Sequence, residues 1–369
     1  MAMAAMAAAE AATATATAAA AQTLKGHDDR VWHVAWSPCG KLLASCGADK
    51  SIRVWAKSPK APGAAGGAAA ASPAEDEWLC VATLEDTQSR TVRSCEFSPC
   101  GSYLAAASFD ATVVIWQRGH READDGSGAI EEWECVSVLE GHENEVKSVA
   151  WSADGSMIAT CSRDKSIWIW EAPPATTPQA RLPEEDIECE CISVLTGHSQ
   201  DVKHLRWHPT EPVLFTASYD DTIRVWAEQV DDWGCVEVLQ GHTNTVWGLC
   251  LDSSGTRIAS CSQDCSVRIW SRSDKGTWAC DKVLDEIHER TIFSIDWSRD
   301  GSRIATGAGD DAIAVLEASS DVVGSDFSVT RKLLAAHDTD VNCVRWNPQD
   351  SHILASAGDD GFVKLFFLP

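Results

Sequence analysis

With 369 residues the chain is too long for one ordinary hydrophobic core, so it must split into domains or repeat a small unit until it closes. Its 30 Lys+Arg stand against 55 Asp+Glu, a net charge of −25. Such a chain repels nucleic-acid phosphates and anionic membrane surfaces, and outside the alanine-rich start no apolar run of about 18 residues offers a membrane span. The apolar fraction of 44% supports a real core, and 17 tryptophans against 2 tyrosines is a bias the fold has to explain.

Residues 1–21 are almost all Ala, Thr and Met, with Glu10 and no Lys or Arg. The lack of basic residues argues against a presequence or secretory signal, and the low complexity predicts a disordered tail. From residue 22 the chain repeats one phrase. An apolar strand leads into Gly-His, a polar turn, alternating apolar residues, a second turn, Ala-Ser/Thr, then Asp and, six residues on, Trp. The first unit runs from Gln22-Thr23-Leu24 through Gly26-His27 to Asp49 and Trp55. An Ala/Gly/Pro/Ser stretch over 56–77 reads as a flexible insert loop. The second unit has Asp86-Thr87 in place of Gly-His, then Asp110 and Trp116. The acidic stretch 118–132 reads as a further loop. The third unit has Gly141-His142, Asp164 and Trp170, followed by another loop over 171–188. The fourth and fifth have Gly197-His198, Asp220, Trp226 and Gly241-His242, Asp264, Trp270. The last two are degraded, with His288, Asp310, Leu316 and His337, Asp360, Phe366.

Within each unit, runs such as Val146-Lys147-Ser148-Val149-Ala150-Trp151 alternate as strands do, and Ser152-Ala153-Asp154-Gly155 is turn chemistry. The marker aspartates fall 44 to 61 residues apart. That spacing resembles WD40 repeats, whose blades recur at roughly 40–45 residues, with the excess in the insertions. The prediction is an all-β, seven-bladed WD40 β-propeller over 22–369. The N-terminal strand should complete the last blade and so remove open edges.

Four units carry a full polar set: His27/Ser45/Asp49/Trp55, His142/Thr160/Asp164/Trp170, His198/Thr216/Asp220/Trp226 and His242/Ser260/Asp264/Trp270. The expected chain runs from the indole N–H to the hydroxyl, from the hydroxyl to the imidazole, and from the imidazole to the carboxylate. Each buried member left unpaired would cost about 1–3 kcal/mol, so the four are kept as a set. Recurrence in four repeats also separates these residues from a hydrolase triad.

The 15 cysteines, an odd number, point to free thiols in a reducing compartment. Cys80, Cys135, Cys191, Cys235 and Cys280 share one repeat position, and Cys46, Cys161 and Cys261 share another. Both sets read as buried small apolar residues. No pair of clusters has zinc-ligand spacing, so no metal and no cofactor is expected, and no nucleophile or phosphate-loop motif suggests an enzyme.

Propellers bind at the rim of the central channel. Two positions per unit should line it: the residue after the first Val of the inner strand, and the residue before the marker Asp. The first set is Trp32, Arg93, Lys147, Lys203, Trp247, Phe293 and Asn342. The second is Ala48, Phe109, Arg163, Tyr219, Gln263, Gly309 and Asp359. Together they hold four cations, one acid and five aromatics. A basic cluster centred on Arg163, Lys147 and Lys203, flanked by aromatics, suits a short ligand bearing a carboxylate and an aromatic side chain.

Longer phrases narrow the likeness. Residues 138–151 (VLEGHENEVKSVAW), 159–168 (ATCSRDKSIW), 200–204 (QDVKH), 107–112 (ASFDAT), 217–222 (ASYDDT) and 340–344 (DVNCV) carry it, together with the Trp-x-Cys-Val phrase at 133–136. From about residue 22 to 368 the chain resembles the WD40 subunit of the cytosolic iron–sulfur protein assembly (CIA) targeting complex. The resemblance implies a non-catalytic adaptor, cytoplasmic and extending to the nucleus. Its implied partners are a small protein with a reactive cysteine, a large helical-repeat scaffold, and iron–sulfur apoprotein clients such as polymerases, helicases and primases. Some clients would dock through C-terminal tails ending in an acid and an aromatic. Some family members carry a Leu-Tyr-Arg motif; the matching positions here are Val225-Trp226-Ala227, so no contact built on it is implied. The alternative class is a WD40 substrate receptor or scaffold in a ubiquitin ligase or chromatin complex.

Overall fold

The computed structural model describes residues 14–17, 20, 22–58, 77–122, 129–183, 185–230, 232–318 and 327–368. Among them the chain forms seven sheets, antiparallel within each four-stranded blade, and no helix. Each sheet is built on one blade whose three inner strands follow chain order from the channel outward. Blade 1 is Val31–Trp36, Leu42–Gly47, Ile52–Lys57 and Trp78–Leu84. Blades 2 to 6 repeat this, and the inner strands of blade 7 are Val341–Asn347, Asp350–Gly358 and Val363–Phe367. Gln22–Leu24 pairs antiparallel with the last of these, Leu24 opposite Val363, so one sheet holds both ends of the ring.

Most of the alanine-rich tail lies outside the described residues. Ala14–Thr17 is a short strand, parallel to Arg331–Leu334 at the outer edge of blade 6. Of the insert loop 56–77, Ala56 and Lys57 end a strand and 59–76 lie outside the described residues.

The core lies between blades. Ala44, Cys46 and Val54 of blade 1 pack against Val92, Cys95 and Leu104 of blade 2, and a comparable cluster fills each gap around the ring. Tryptophan closes the gaps. Trp36 meets Trp78 edge to face at 5.3 Å, Trp207 meets Trp233 at 5.5 Å, and Trp297 meets Phe327 at 5.3 Å. Tryptophan's excess over tyrosine follows from this use and from the polar sets.

The four sets are assembled as hydrogen-bonded chains. His27 Nδ1 lies 2.8 Å from Asp49, its Nε2 lies 2.8 Å from Ser45 Oγ, and the Trp55 indole donates to that hydroxyl at 2.8 Å. In blade 3 Thr160 Oγ1 stands between His142 and the Trp170 indole, with His142 on Asp164. Thr216 Oγ1 does the same between His198 and Trp226 in blade 4, and Ser260 Oγ between His242 and Trp270 in blade 5. All these contacts are 2.8–3.0 Å. The hydroxyls of Ser45, Thr160, Thr216 and Ser260 are sealed in the core at 0% exposure, out of reach of any ligand. Blades 6 and 7 keep three members, His288/Thr306/Asp310 and His337/Ser356/Asp360, with Leu316 and Phe366 replacing the indole. Each aspartate has a second task. The residue after it is left-handed in every blade, from Lys50 (φ 67°) to Gly361 (φ 78°). The carboxylate holds that turn by accepting the backbone N–H two residues on, as Asp49 does from Ser51.

Blade 2 departs from the sequence reading by one position. The histidine site is taken by Gln88, and Asp86-Thr87 lies just before it. Gln88 donates to the Ala106 carbonyl at 3.0 Å, Ala106 replaces the hydroxyl, and the buried Trp116 indole N–H has no acceptor among the described residues.

Three further expectations need correction. Residues 118–132 are largely a hairpin: Thr112–Glu122 pairs with Ala129–Glu140 well past the length of the other blades. Backbone pairing, which polar residues supply as well as apolar ones, sustains it. Residues 171–188 include a strap bonded to blade 2, with Tyr103 Oη donating to Pro174 O, His120 N–H to Ala180 O, and Leu182 buried. The cysteines divide. Cys46, Cys161 and Cys261 are buried, whereas Cys80, Cys191 and Cys280 are exposed and Cys135 and Cys235 half-buried. The latter five sit at bulges of the outer strands, where each thiol donates across the bulge, as Cys80 does to Ala82 O.

Candidate functional site

Every inner strand begins with a β-bulge: the pairing slips between Val31 and His33, Val92 and Ser94, Val146 and Ser148, and likewise in the other four blades. The extra residue is the one after the first Val or Ile, so Trp32, Arg93, Lys147, Lys203, Trp247, Phe293 and Asn342 are bulge residues. A bulge re-aims its side chain, and six of the seven line the upper channel. The second set is tied in by its backbone. Phe109, Arg163 and Tyr219 donate their N–H groups to Thr91, Glu145 and Asp201, the residues that precede the inner strands. The polar sets stand apart from this surface. Thr160, Thr216 and Ser260, like Ser45, are fully buried and do not line the upper channel.

The cations lie on aromatic faces. Arg93 covers Trp32 at 5.0 Å, Lys147 covers Phe109 at 4.1 Å, and Lys203 lies between Tyr219 and Trp247 at 5.1 and 5.2 Å. Trp247 in turn meets Phe293 edge to face at 5.2 Å. Each cation–ring contact is worth about 0.5–2 kcal/mol. Arg163 and Lys147 belong to one cluster, whereas Lys203 forms a separate one with Asp201 at 3.3 Å.

Two members of the first cluster escaped the sequence reading. Glu145 Oε2 holds Lys147 at 3.1 Å and Arg163 at 3.2 Å, while its Oε1 takes Arg90 at 3.4 Å. Arg90 also donates to Phe109 O at 2.7 Å. One carboxylate therefore serves three cations, leaving local positive charge on an acidic protein. Burial acts on Glu145 in the opposite sense, yet Lys147 and Arg163 hold its carboxyl below the usual range. Burial lowers the Lys147 ammonium despite Glu145, and it lowers the Arg93 guanidinium too. The visible signal for Glu145 and Asp201 was their place immediately before the Val of the inner strand.

The site is a surface and not a hole. Arg163 and Arg90 are 54% and 56% exposed along their side chains, and Tyr219 is 51% exposed. The upper channel holds only about 20 Å³, room for one water. A ligand laid across the rim would meet the exposed edges of Arg163 and Arg90 beside Glu145, with the Phe109 and Tyr219 rings alongside. The indole N–H groups of Trp32 and Trp247 are buried without an acceptor among the described residues. No group of three or more His, Cys, Asp or Glu among the described residues could hold a metal ion.

Seven segments match the family described as WD domain, G-beta repeat: residues 20–56, 78–117, 133–171, 189–227, 233–271, 279–316 and 327–366. Full-length relatives carry a more specific name. A probable cytosolic iron–sulfur protein assembly protein 1 from Scheffersomyces stipitis is 34% identical, with 94% of this chain and 98% of that protein covered. A protein of the same name from Candida glabrata is 38% identical over 94% and 97%. A probable cytosolic iron–sulfur protein assembly protein CIAO1 homolog from Chlamydomonas reinhardtii is 43% identical over 94% and 97%. The chain belongs to this family of WD-repeat assembly proteins. Each matched segment spans the outer strand of one blade and the three inner strands of the next, so the seven together cover the ring.

Proposed function

We propose that the chain is a non-catalytic adaptor of cytosolic iron–sulfur protein assembly. It works in the cytosol and reaches nuclear clients. It docks a small partner with a reactive cysteine, a large helical-repeat scaffold and apoprotein clients, so that clusters are passed to those clients. The relatives' names support the pathway. The observation that carries the docking role is the convergence of Lys147, Arg163 and Arg90 on Glu145 beside Phe109. A C-terminal tail ending in an acid and an aromatic fits this cluster. Its carboxylates take the free N–H groups of Arg163 and Arg90, bidentately where the planes align, and its ring covers Phe109 or Tyr219. Affinity capture with the tagged full-length chain from cytosolic extract, read by mass spectrometry, tests the reading. Recovery of the cysteine-bearing partner, the helical-repeat scaffold and iron–sulfur apoproteins supports it. Recovery of ubiquitin-ligase or chromatin subunits in their place overturns it.

A further inference from the structure

The central channel is sealed halfway. Arg345 of blade 7 places Nη2 3.1 Å from His33 Nε2 of blade 1 and 3.5 Å from His204 Nε2 of blade 4. Its Nη1 donates to Ile295 O. A guanidinium only donates, so both imidazole nitrogens accept, which a protonated ring could not do. Burial, with the nearby arginines, lowers both histidines well below their ordinary value. His33 and Arg345 line the cavity above this plug and also the one below it. The lower face of the channel is therefore separate from the rim.

Below the plug opens a cavity of about 260 Å³, walled by Trp36, Trp297 and Trp346. Its charges reverse those of the chain: Arg206, Arg299 and Arg345 stand against Glu96 and Asp296. Arg206 pairs with Glu96 at 2.5 Å and Arg345 with Asp296 at 3.5 Å. Arg299 stands exposed at the lip with no ion pair among the described residues. A second observation is independent of the charges. The indoles corresponding to Trp346 in blades 1, 3 and 4 each donate to a carbonyl of the preceding blade: Trp36 to Arg345, Trp151 to Glu96 and Trp207 to Ala150, at 3.1–3.2 Å. Trp346 is 4% exposed, and its buried indole N–H has no acceptor among the described residues. A buried donor left unpaired is costly, and it sets this wall of the cavity apart from the equivalent positions of Trp36, Trp151 and Trp207.

We propose that this lower mouth is a second binding site, for a small oxyanion, a carboxylate or a phosphate group, held by Arg206 and Arg299 between the tryptophan walls. It needs no contribution from the rim and no particular reading of the rim's ligand. Guanidinium groups suit the planar or tetrahedral oxygens of such groups.

The test uses full-length protein labelled with ¹⁵N-tryptophan, the Trp346 indole resonance being assigned through Trp346→Phe. The protein is titrated separately with inorganic phosphate, with acetate and, at matched ionic strength, with chloride. The Trp346 resonance is expected to move saturably with phosphate, acetate or both, and not with chloride. Movement with one alone identifies that group as the ligand. Arg299→Gln is expected to weaken binding at least fivefold and Arg206→Gln to abolish it. Arg163→Glu, on the opposite face, should leave it unchanged. Arg299 is exposed, so its variant keeps the test decisive if removal of Arg206 orphans Glu96 and unfolds the chain. No movement with either oxyanion, equal movement with chloride, or an Arg299→Gln affinity within twofold of the parent overturns the site.

Discussion

The Lys147 ammonium lies 4.1 Å from the centre of the Phe109 ring while also bonding Glu145 at 3.1 Å. Two supports of different chemistry, one aromatic and one anionic, hold a partly buried cation in a single place at the rim. Phe109→Ala removes the aromatic support and the apolar face together. Affinity for a peptide ending in an acid and an aromatic should fall about tenfold, roughly 1.4 kcal/mol, with little change in melting temperature. Fluorescence anisotropy and a thermal melt check this, and an unchanged affinity would contradict the assignment of Phe109 to the ligand's side chain.

Glu145→Gln should act in the opposite direction. In the free protein its carboxylate competes with any acidic ligand for Lys147, Arg163 and Arg90. Removing that charge should tighten binding of the same peptide severalfold at low salt, with the gain fading as ionic strength rises. A weaker complex at every salt concentration would mean that Glu145 organises the cations more than it competes for them.

Blade 2 offers a repair. Ala106 and Gln88 stand where the other sets have a hydroxyl and a histidine, and the buried Trp116 N–H has no acceptor among the described residues. Gln88→His combined with Ala106→Ser should stabilise the protein by about 1–3 kcal/mol. The gain should be cooperative in a double-mutant cycle, since neither change alone completes the chain. Additive or absent effects in urea titrations would argue against the hydrogen-bonded chain as a unit.

Stability should depend on pH in two stages. Burial lowers His33, His204, His198 and His337, so the fold keeps them neutral. The unfolded chain takes up those protons below about pH 6.5, and stability starts to fall there. Asp49, Asp310 and Asp360 are held at about 2 against the pull of burial, chiefly by their histidine bonds. Asp164, Asp220 and Asp264 lie well below the usual range for the same reason. Each adds stability that is complete above the unfolded value of about 3.9 and is lost as pH falls towards 2. The urea midpoint should therefore decline below about pH 6.5 and drop more steeply below about 4. A midpoint that stays flat from neutral to acid pH would contradict this.

Much of the architecture was legible because the repeat writes the same constraint several times. The marker aspartate is required by its left-handed turn as well as by its histidine, so it survives in blade 2, where the histidine and the hydroxyl are lost. The hydroxyls of Thr160, Thr216 and Ser260 were legible by the same repetition, each 18 residues after its histidine. The rim positions were legible as the residues after the first Val, although only the structure shows why: they are bulge residues. Arg90 and Glu145 escaped because they precede the inner strands of blades 2 and 3 and meet only when the two blades pack side by side. The outer cysteines were misplaced because recurrence at one repeat position marks a shared environment, not burial, and that position is a bulge of the outer strand. The long hairpin of blade 2 is polar through most of its extension, so periodicity gave no sign of it.

The central claim is that the rim beside Glu145 receives acidic–aromatic tails, and Arg163→Glu tests it most directly. Arg163 is exposed and its one ion pair, with Glu145, lies at the surface, where such pairs add little stability, so the variant should melt close to the parent. Titrating both proteins with a fluorescent peptide ending in an acid and an aromatic measures the effect. The charge reversal should raise Kd at least thirtyfold, about 2 kcal/mol, with the parent's affinity falling as salt rises. A Kd within twofold of the parent, under about 0.5 kcal/mol, would contradict the claim.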